Sequence, residues 1–191
     1  MSDRQDVSLR TRRTAQGVVL VDHACGGCAA CAAGATLWCL HPTVEGHDLS
    51  PEVPLSRAAD LVGALLAVAA LQEVPASETV LVHGDADGAT AMLVRSFAAG
   101  RVVVASDLVA VRDELATETT GRAAVVVAGK DARGAVRAVR RGGHVCVADP
   151  TAVLPSVTEL VQREVTLVGP LDVVGVARRV DAGLWAAAAA A

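Results

Sequence analysis

The strongest constraint on the fold is an alternation of β-rich and helical segments that begins near residue 57. Three largely apolar runs, TVLVHG (79–84), RVVVASD (101–107) and AAVVVAG (123–129), are each followed by a segment of helical character. Two further runs, GGHVCVAD (142–149) and EVTLVG (164–169), continue the pattern. Apolar strands separated by helices are typical of a parallel sheet covered on both faces. The sequence therefore predicts an α/β fold with a Rossmann-like parallel sheet of about five strands.

The helices of this fold are read from the segments between the strands. They are predicted at 57–74, 88–100, 108–116, 132–141, 154–163 and 173–183. The most apolar stretch before the C-terminal tail, LVGALLAVAAL (61–71), is shorter than the roughly 20 residues that cross a bilayer. We therefore expect a buried core helix at this position.

Four of the five cysteines lie close together near the N-terminus. Cys25, Cys28, Cys31 and Cys39 have the spacing C-x2-C-x2-C-x7-C, and four thiolates suit tetrahedral zinc. Such a site has no open coordination position, so this zinc would organise a loop. An iron–sulfur cluster, redox-active thiols and free thiols are the alternatives, although bacterial ferredoxins have a third gap of about three residues and a proline after the fourth cysteine. Cys146, within a predicted strand, is expected to be a core residue.

Charge and composition narrow the classes of partner and the compartment. Lys and Arg number 17 against 21 Asp and Glu, which gives a net charge of −4 without a block of like charge. Neither nucleic acid nor a membrane is therefore predicted as a partner. The first 16 residues are polar and contain no apolar signal segment, which favours the cytoplasm. In a reducing cytoplasm, clustered cysteines are more often metal ligands than disulfides.

The cysteine spacing, preceded by the strand GVVLVDHA (17–24), resembles the structural-zinc lobe of the zinc-containing medium-chain dehydrogenases. This superfamily includes the alcohol, sorbitol and threonine dehydrogenases. The strand order that follows, including RRGGHVCVAD and REVTLVG, resembles its cofactor domain, so the resemblance covers about residues 17–185. It implies the following organisation: a polar N-terminal segment (1–16), a zinc lobe that is a remnant of the catalytic domain (17–50), a Rossmann-like cofactor domain (51–185) and an alanine tail (186–191).

The resemblance also implies a dinucleotide site at the turn HGDADGATA, where backbone amides would hold a pyrophosphate. Against G-x-G-x-x-G, Gly84 takes the first position, Ala86 the second and Ala89 the third, with Gly88 displaced by one. A tight turn without a ligand is the alternative, because the βα turns of doubly wound proteins generally favour small residues. Asp85 and Asp87 would also repel a pyrophosphate unless their side chains point away.

An acidic residue at the end of the second strand binds the ribose hydroxyls in the members that use NAD. Asp107 has this position, 18 residues after Ala89. It favours NAD(H) over NADP(H), and a solvated loop aspartate is the alternative.

The ligands of a catalytic zinc are missing from the positions where the resemblance implies them. Only 24 residues precede Cys25, and these contain one histidine and no cysteine. The place of the third ligand falls at Val62 or Gly63, neither of which binds zinc. Only about fifteen residues separate Asp107 from the third strand, so a strand and a helix of the family pattern also look deleted.

Three hypotheses for function follow. The first is a truncated, zinc-binding, alcohol dehydrogenase-like oxidoreductase that still binds NAD(H) and a small-molecule substrate but has no catalytic zinc. The second is an inactive scaffold that binds a protein partner, and the third is a non-redox enzyme that uses the cleft between lobe and sheet. A homodimer is expected, because REVTLVG resembles the edge strand through which family members pair.

Overall fold

The chain folds into a small antiparallel sheet followed by a larger parallel sheet. The computed structural model describes residues 9–33, 39–74, 79–111, 123–129, 131–147, 152–170 and 172–191. The strands are β1 (Leu9–Arg13), β2 (Val18–Asp22), β3 (His47–Asp48), β4 (Thr79–His83), β5 (Arg101–Ala105), β6 (Ala123–Ala128), β7 (Val139–Val147) and β8 (Thr166–Val168). The helices are α1 (Ala29–Ala32), α2 (Ala58–Gln72), α3 (Ala89–Phe97), α4 (Ala132–Ala138), α5 (Val157–Arg163), α6 (Val173–Arg179) and α7 (Ala182–Ala190).

The larger sheet has five described strands in the order β5-β4-β6-β7-β8, and every neighbouring pair is parallel. The prediction of a five-stranded parallel sheet is therefore confirmed. The chain leaves β4 for β5 on one side and then returns to β6 on the other side. This reversal between β4 and β6 is the topological switch point, next to which open α/β sheets bind their ligands.

Helices cover both faces of this sheet, as predicted. Successive residues of β4 show the division: Val80 and Val82 pack into one core cluster with α2, α3, α6 and α7, whereas Leu81 packs into a second cluster with α4. The alternation follows from the two-residue period of a strand. Because both faces are buried, both sets of positions are apolar, which explains the continuous β-branched runs in the sequence.

The central helix α2 has most of its residues in the core. Leu61, Leu65 and Val68 are fully buried, which agrees with the buried helix predicted at this position. Residues 55–72 are long and apolar enough to cross a membrane by length and composition, but the same helix packs against α3 and α6 and lies over the sheet.

The small sheet has the antiparallel order β1-β2-β3 and precedes the parallel sheet. Val18 and Leu20 of β2 are fully buried and belong to the same core cluster as α2. A single core therefore joins the cysteine-containing part of the chain to one face of the parallel sheet. The first strand, β1, lies within the segment for which the sequence predicted no element.

The predicted helix 132–141 is shorter in the structure and ends at Ala138. Strand β7 starts at Val139, where the backbone is already extended (φ −80°, ψ 150°). Within β7, Gly142 has a positive φ of 70°, and the pairing register with β6 shifts between Val139 and His144. Arg140 and Arg141 therefore lie on a strand. The sequence spacing of Arg133, Arg137, Arg140 and Arg141 (i, i+4, i+7 and i+8) predicts one helical face for all four, and this prediction is wrong. The helix predicted at 108–116 is described only for residues 108–111, which are helical. The strand predicted at 142–149 is described as far as Val147, where β7 ends.

The alanine-rich C-terminus forms helix α7, which packs against α3. The Asp181 carboxylate accepts a hydrogen bond of 2.8 Å from the Leu184 amide and caps the helix. Trp185 is 3% exposed and Ala188 is 1% exposed. Part of the alanine tail is therefore a packed element of the fold.

Candidate metal centre and cofactor crevice

The four clustered cysteines converge on one point. Their sulfur atoms all lie within 4.8 Å of one another, and the Cys28 sulfur lies 3.5 Å from that of Cys31 and 4.0 Å from that of Cys39. A tetrahedral zinc with Zn–S bonds of about 2.3 Å would set its sulfur ligands about 3.8 Å apart. All four thiols are free, since these separations are far longer than a disulfide bond of about 2.05 Å. The arrangement matches a four-thiolate zinc site.

Local backbone geometry brings the cysteines together. Cys25 follows the end of β2, and Gly26 turns the chain with a φ of 71°. Cys28 is the N-cap of the one-turn helix α1, which carries Cys31. Cys39 is 5% exposed and returns to this turn from the other end of the loop. Its sulfur accepts a hydrogen bond of 3.3 Å from the Cys25 amide.

The surroundings of Cys28 and Cys31 shift the pKa values of these two thiols in opposite directions. Hydrogen bonds from the backbone amides of Cys31 and Leu40 lower the pKa of Cys28 to about 6. Burial, followed by the hydrogen bond with Cys28, raises the pKa of Cys31 to about 12. Four adjacent thiolates repel one another, so full deprotonation needs a cation among them. The donor set therefore fits a metal ion better than a set of free thiols.

This cluster is the one group of three or more potential metal ligands found in the part of the chain that the structure describes. His47 and Asp48, which follow the cysteines in the sequence, lie on β3 and outside this cluster. Asp48 accepts hydrogen bonds of 2.6 and 2.7 Å from the Arg12 guanidinium. His47 is an exposed residue of the two-residue strand β3.

The turn between β4 and α3 is tight and satisfies much of its own hydrogen bonding. The amide of Gly84 donates to Ala105 O at 3.0 Å, and that of Gly88 donates to Asp85 O at 3.2 Å. A β-carbon on Gly88 would lie 3.3 Å from the same oxygen. The side chain of Asp85 folds back, so that its Oδ1 accepts from the Asp87 amide at 3.2 Å. This carboxylate is thus part of the turn.

The N-terminus of α3 lies at the switch point and has no side-chain cap. Gly88 is its N-cap, and Ala89 is its first residue. Uncapped amides at a helix N-terminus attract anions. The structure brings Gly84, Ala86, Gly88 and Ala89 into one turn, with Ala86 exposed and its carbonyl oxygen accepting from Arg95 at 2.9 Å. The amides at the start of α3, which have no side-chain cap, are the donors of this turn that could hold an anion.

Asp107 lies just beyond β5, the neighbour of β4 in the sheet, as predicted for a ribose-binding acid. Its Oδ1 accepts hydrogen bonds from the amides of Val109 at 2.8 Å and Ala110 at 3.2 Å. The carboxylate therefore caps the helical turn that begins at residue 108. One of its oxygens already has a structural role.

His83, the last residue of β4, lies at the same end of the sheet. Its position at the border of an apolar strand predicts a residue of the core or of its rim. Its Nε2 lies 3.2 Å from Ser106 O, beyond the end of β5. Its Nδ1 is buried without a hydrogen-bond partner and is directed toward Gly129, beyond the end of β6. The ring thus spans the ends of three adjacent strands. The only signal in the sequence was its place directly before Gly84.

No family model matches the chain, and no curated protein matches it. Solved structures share its fold at low sequence identity. An alcohol dehydrogenase from Thermus sp. ATN1 has 18% identity and a TM-score of 0.52, and the alignment covers 91% of this chain and 67% of that one. An acetophenone reductase from Geotrichum candidum in complex with NAD has 15% identity and a TM-score of 0.54, with 87% and 64% covered.

A third similar structure is an alcohol dehydrogenase zinc-binding domain protein from Burkholderia ambifaria, with 15% identity, a TM-score of 0.50 and coverage of 87% and 66%. The chain thus spans about two-thirds of the length of these neighbours. The likeness predicted from the cysteine spacing and the strand order is confirmed. Over most of its described length, the chain has the fold of alcohol dehydrogenase-like, zinc-binding proteins and carries a four-cysteine cluster.

Proposed function

We propose that this protein is a cytoplasmic, NAD(H)-binding oxidoreductase of the alcohol dehydrogenase-like type, with a structural zinc and no catalytic zinc site in this chain. The observation that carries the proposal is the uncapped N-terminus of α3 at the switch point of the sheet. An anion held there would lie beside the end of β5, which carries Asp107. The fold of the neighbours supports the same class of ligand.

The zinc in this proposal is architectural. Cys25, Cys28, Cys31 and Cys39 would occupy all four positions of a tetrahedral ion, so no position remains for water or substrate. The ion would allow all four thiols to ionise and would fix the loop between β2 and β3.

A catalytic zinc is not part of the proposal. Val62 and Gly63, at the position implied for a third zinc ligand, lie within α2 and have no metal-binding group. Any hydride transfer would then lack a Lewis acid to polarise the substrate oxygen. We expect such catalysis to be slow or to require polar groups from elsewhere.

The nicotinamide cofactor, when bound, would supply the hydride acceptor or donor. The amides at the start of α3 would hold its pyrophosphate. Asp107 would accept a hydrogen bond from a ribose hydroxyl while continuing to cap its own helix, since a carboxylate has several acceptor positions. The 2′-phosphate of NADP would be repelled by the same carboxylate.

Calorimetric titration of the zinc-loaded protein with NADH and NADPH tests this proposal. We expect micromolar binding of NADH and weaker binding of NADPH. Asp107→Asn keeps an oxygen for the helix cap and removes the charge, so it should narrow the difference in affinity between NADH and NADPH. Asp181→Asn is the matched control, because Asp181 caps α7 in the same way. Failure of both cofactors to bind at millimolar concentration would refute the cofactor site.

A scaffold that pairs with itself or with another protein is the second candidate. Its support is a pair of exposed apolar side chains on α5, the helix that precedes the edge strand β8 in the chain: Val157 and Val161 are 76% and 70% exposed. A dimer formed there would bury these side chains. Analytical ultracentrifugation tests it: the wild type should be a dimer that Val161→Glu dissociates. A monomeric wild type would exclude self-pairing and direct attention to a different partner.

A further inference from the structure

Asp22 is a buried carboxylate at the point where the chain enters the cysteine loop. Its side chain is 4% exposed, and Asp22 and Ser50 are the two buried polar residues among those that the structure describes. It is the last residue of β2 and lies three positions before Cys25. A charge at this depth is costly unless it has partners, so its contacts are part of the local structure.

Both oxygens of Asp22 have partners, and these lie in different parts of the fold. Oδ1 accepts a hydrogen bond of 2.7 Å from the amide of Ala24. Oδ2 lies 3.3 Å from a guanidinium nitrogen of Arg178, which is 156 positions away in the sequence. The first contact sets the direction of the chain immediately before Cys25. The second connects this turn to Arg178 in the C-terminal part of the chain.

The base of the cysteine loop is closed by a second set of contacts. The amide of Thr43 donates to His23 O at 2.7 Å, and the His23 ring is hydrogen-bonded through Nδ1 to Thr43 O at 2.9 Å. Residues on either side of the four cysteines are therefore held together next to Asp22. A displacement of Asp22 would change the positions of both ends of the loop.

Arg178 is anchored in the part of the fold that contains the parallel sheet. It belongs to α6, in which Val176 and Ala177 are buried in the core shared with α2. Its own side chain is 61% exposed, so its removal creates no cavity. It would, however, leave the Asp22 carboxylate buried without its charged partner, which favours movement of Asp22 toward water.

We propose that Asp22 is a positioning residue for the cysteine cluster and that its contact with Arg178 couples metal binding to the packing of α6. The proposal rests on the zinc site proposed above. Groups around a metal site that orient its ligands typically change metal affinity by about 10–100-fold when they are removed. Coupling is reciprocal, so bound zinc would strengthen the contact between Asp22 and Arg178 to the same degree.

Zinc affinity, measured by competition with a chromogenic chelator, tests the coupling. Arg178→Gln and Asp22→Asn should each weaken zinc binding by about 10-fold, and the double variant should be little weaker than either single variant. Arg179→Gln is the matched control on the same helix. Arg179 contacts Gly175 O and Gln72 and lies over the Phe97 ring, and none of these three residues belongs to the cysteine loop. Its zinc affinity should equal that of the wild type.

The outcomes separate this proposal from the zinc site itself. A wild-type protein that does not bind zinc would refute the site. Wild-type binding, together with equal affinities in Arg178→Gln and Arg179→Gln, would overturn the coupling and leave the site intact. Arg178→Lys keeps a positive charge and should recover part of the affinity, whereas an effect through general loss of stability would also appear in Arg179→Gln. If Asp22→Asn does not fold, the variants of Arg178 still decide the question.

Discussion

Trp185 is expected to hold the C-terminal helix on the fold, and its removal should be costly. The residue is 3% exposed and belongs to the same core cluster as α2. An aromatic side chain of this kind buries about 200 Å², which at about 25 cal/mol per Å² corresponds to about 5 kcal/mol. Replacement of a buried tryptophan by alanine costs about 3–5 kcal/mol in practice. We therefore expect Trp185→Ala to lower the free energy of unfolding by about 3–5 kcal/mol.

Urea unfolding, followed by far-UV circular dichroism with zinc in excess, measures this loss without relying on tryptophan fluorescence. Two alanines of the same helix provide a matched pair. Ala188 is 1% exposed, whereas Ala187 faces solvent. Ala188→Gln should destabilise the protein clearly because it places a polar group in the core, and Ala187→Gln should change stability by less than about 0.5 kcal/mol. Equal effects of the two substitutions, or a loss below about 1 kcal/mol in Trp185→Ala, would refute the packing of this helix.

Two further predictions concern the cysteine cluster and the contact between α4 and α5. Cys28→Ser should release zinc and lower the melting temperature, as measured by metal analysis and calorimetry; unchanged metal content would exclude a four-thiolate site. The pKa of Glu159 is lowered to about 2, by hydrogen bonds from Ser156 and then from Arg133. Its ionised form therefore adds stability above its ordinary pKa of about 4.3, and this contribution is lost as the pH falls toward 2. The difference in urea midpoint between the wild type and Glu159→Gln should vanish over that range, and a constant difference would contradict the ionic role.

The parallel sheet could be predicted because its inner strands β4 and β6 are buried along most of their length. The first three runs consist mostly of valine, alanine and leucine, and each of them is a strand, including the partly exposed edge strand β5. A continuous apolar run predicts a buried strand without information on which strands are its neighbours. The order of the strands, and hence the switch point between β4 and β6, depends on contacts between segments far apart in the sequence.

Strands that depend on pairing with one neighbouring strand were harder to predict. Strand β1, with the sequence LRTRR, carries no alternation of apolar and polar residues, and Arg10–Arg13 are exposed. It is a strand because its backbone pairs with β2 over five residues. The start of β7 was predicted too late, because Arg140 and Arg141 continue the helical spacing of α4, whereas the backbone is extended from Val139 onward.

Of the four arginines whose spacing predicts one helical face, Arg133 and Arg137 lie on α4 and form contacts that the sequence did not predict. Both contact Glu159 of α5, at 3.0 and 3.4 Å. The other Glu159 oxygen accepts hydrogen bonds of 3.0 Å from the amide and the hydroxyl of Ser156. The arginines thus join two neighbouring helices. A sequence periodicity cannot reveal this contact, because the acidic partner comes from another helix.

The two candidate sites also differ in how far they could be predicted from the sequence. The cysteine cluster is local: its four ligands lie between residues 25 and 39, so their spacing alone predicted convergence. The contact between Asp22 and Arg178 connects the cluster to α6, and its two residues are 156 positions apart in the sequence. Neither residue lies in a sequence pattern that predicts this contact. In the crevice, the aspartates of the turn suggested repulsion of a pyrophosphate. The structure weakens this objection, because the Asp85 carboxylate is turned back onto the Asp87 amide and the Asp87 side chain is exposed to water, which screens its charge. The repulsion between the aspartates of the turn and a dinucleotide at α3 is therefore weaker than the sequence of the turn implies.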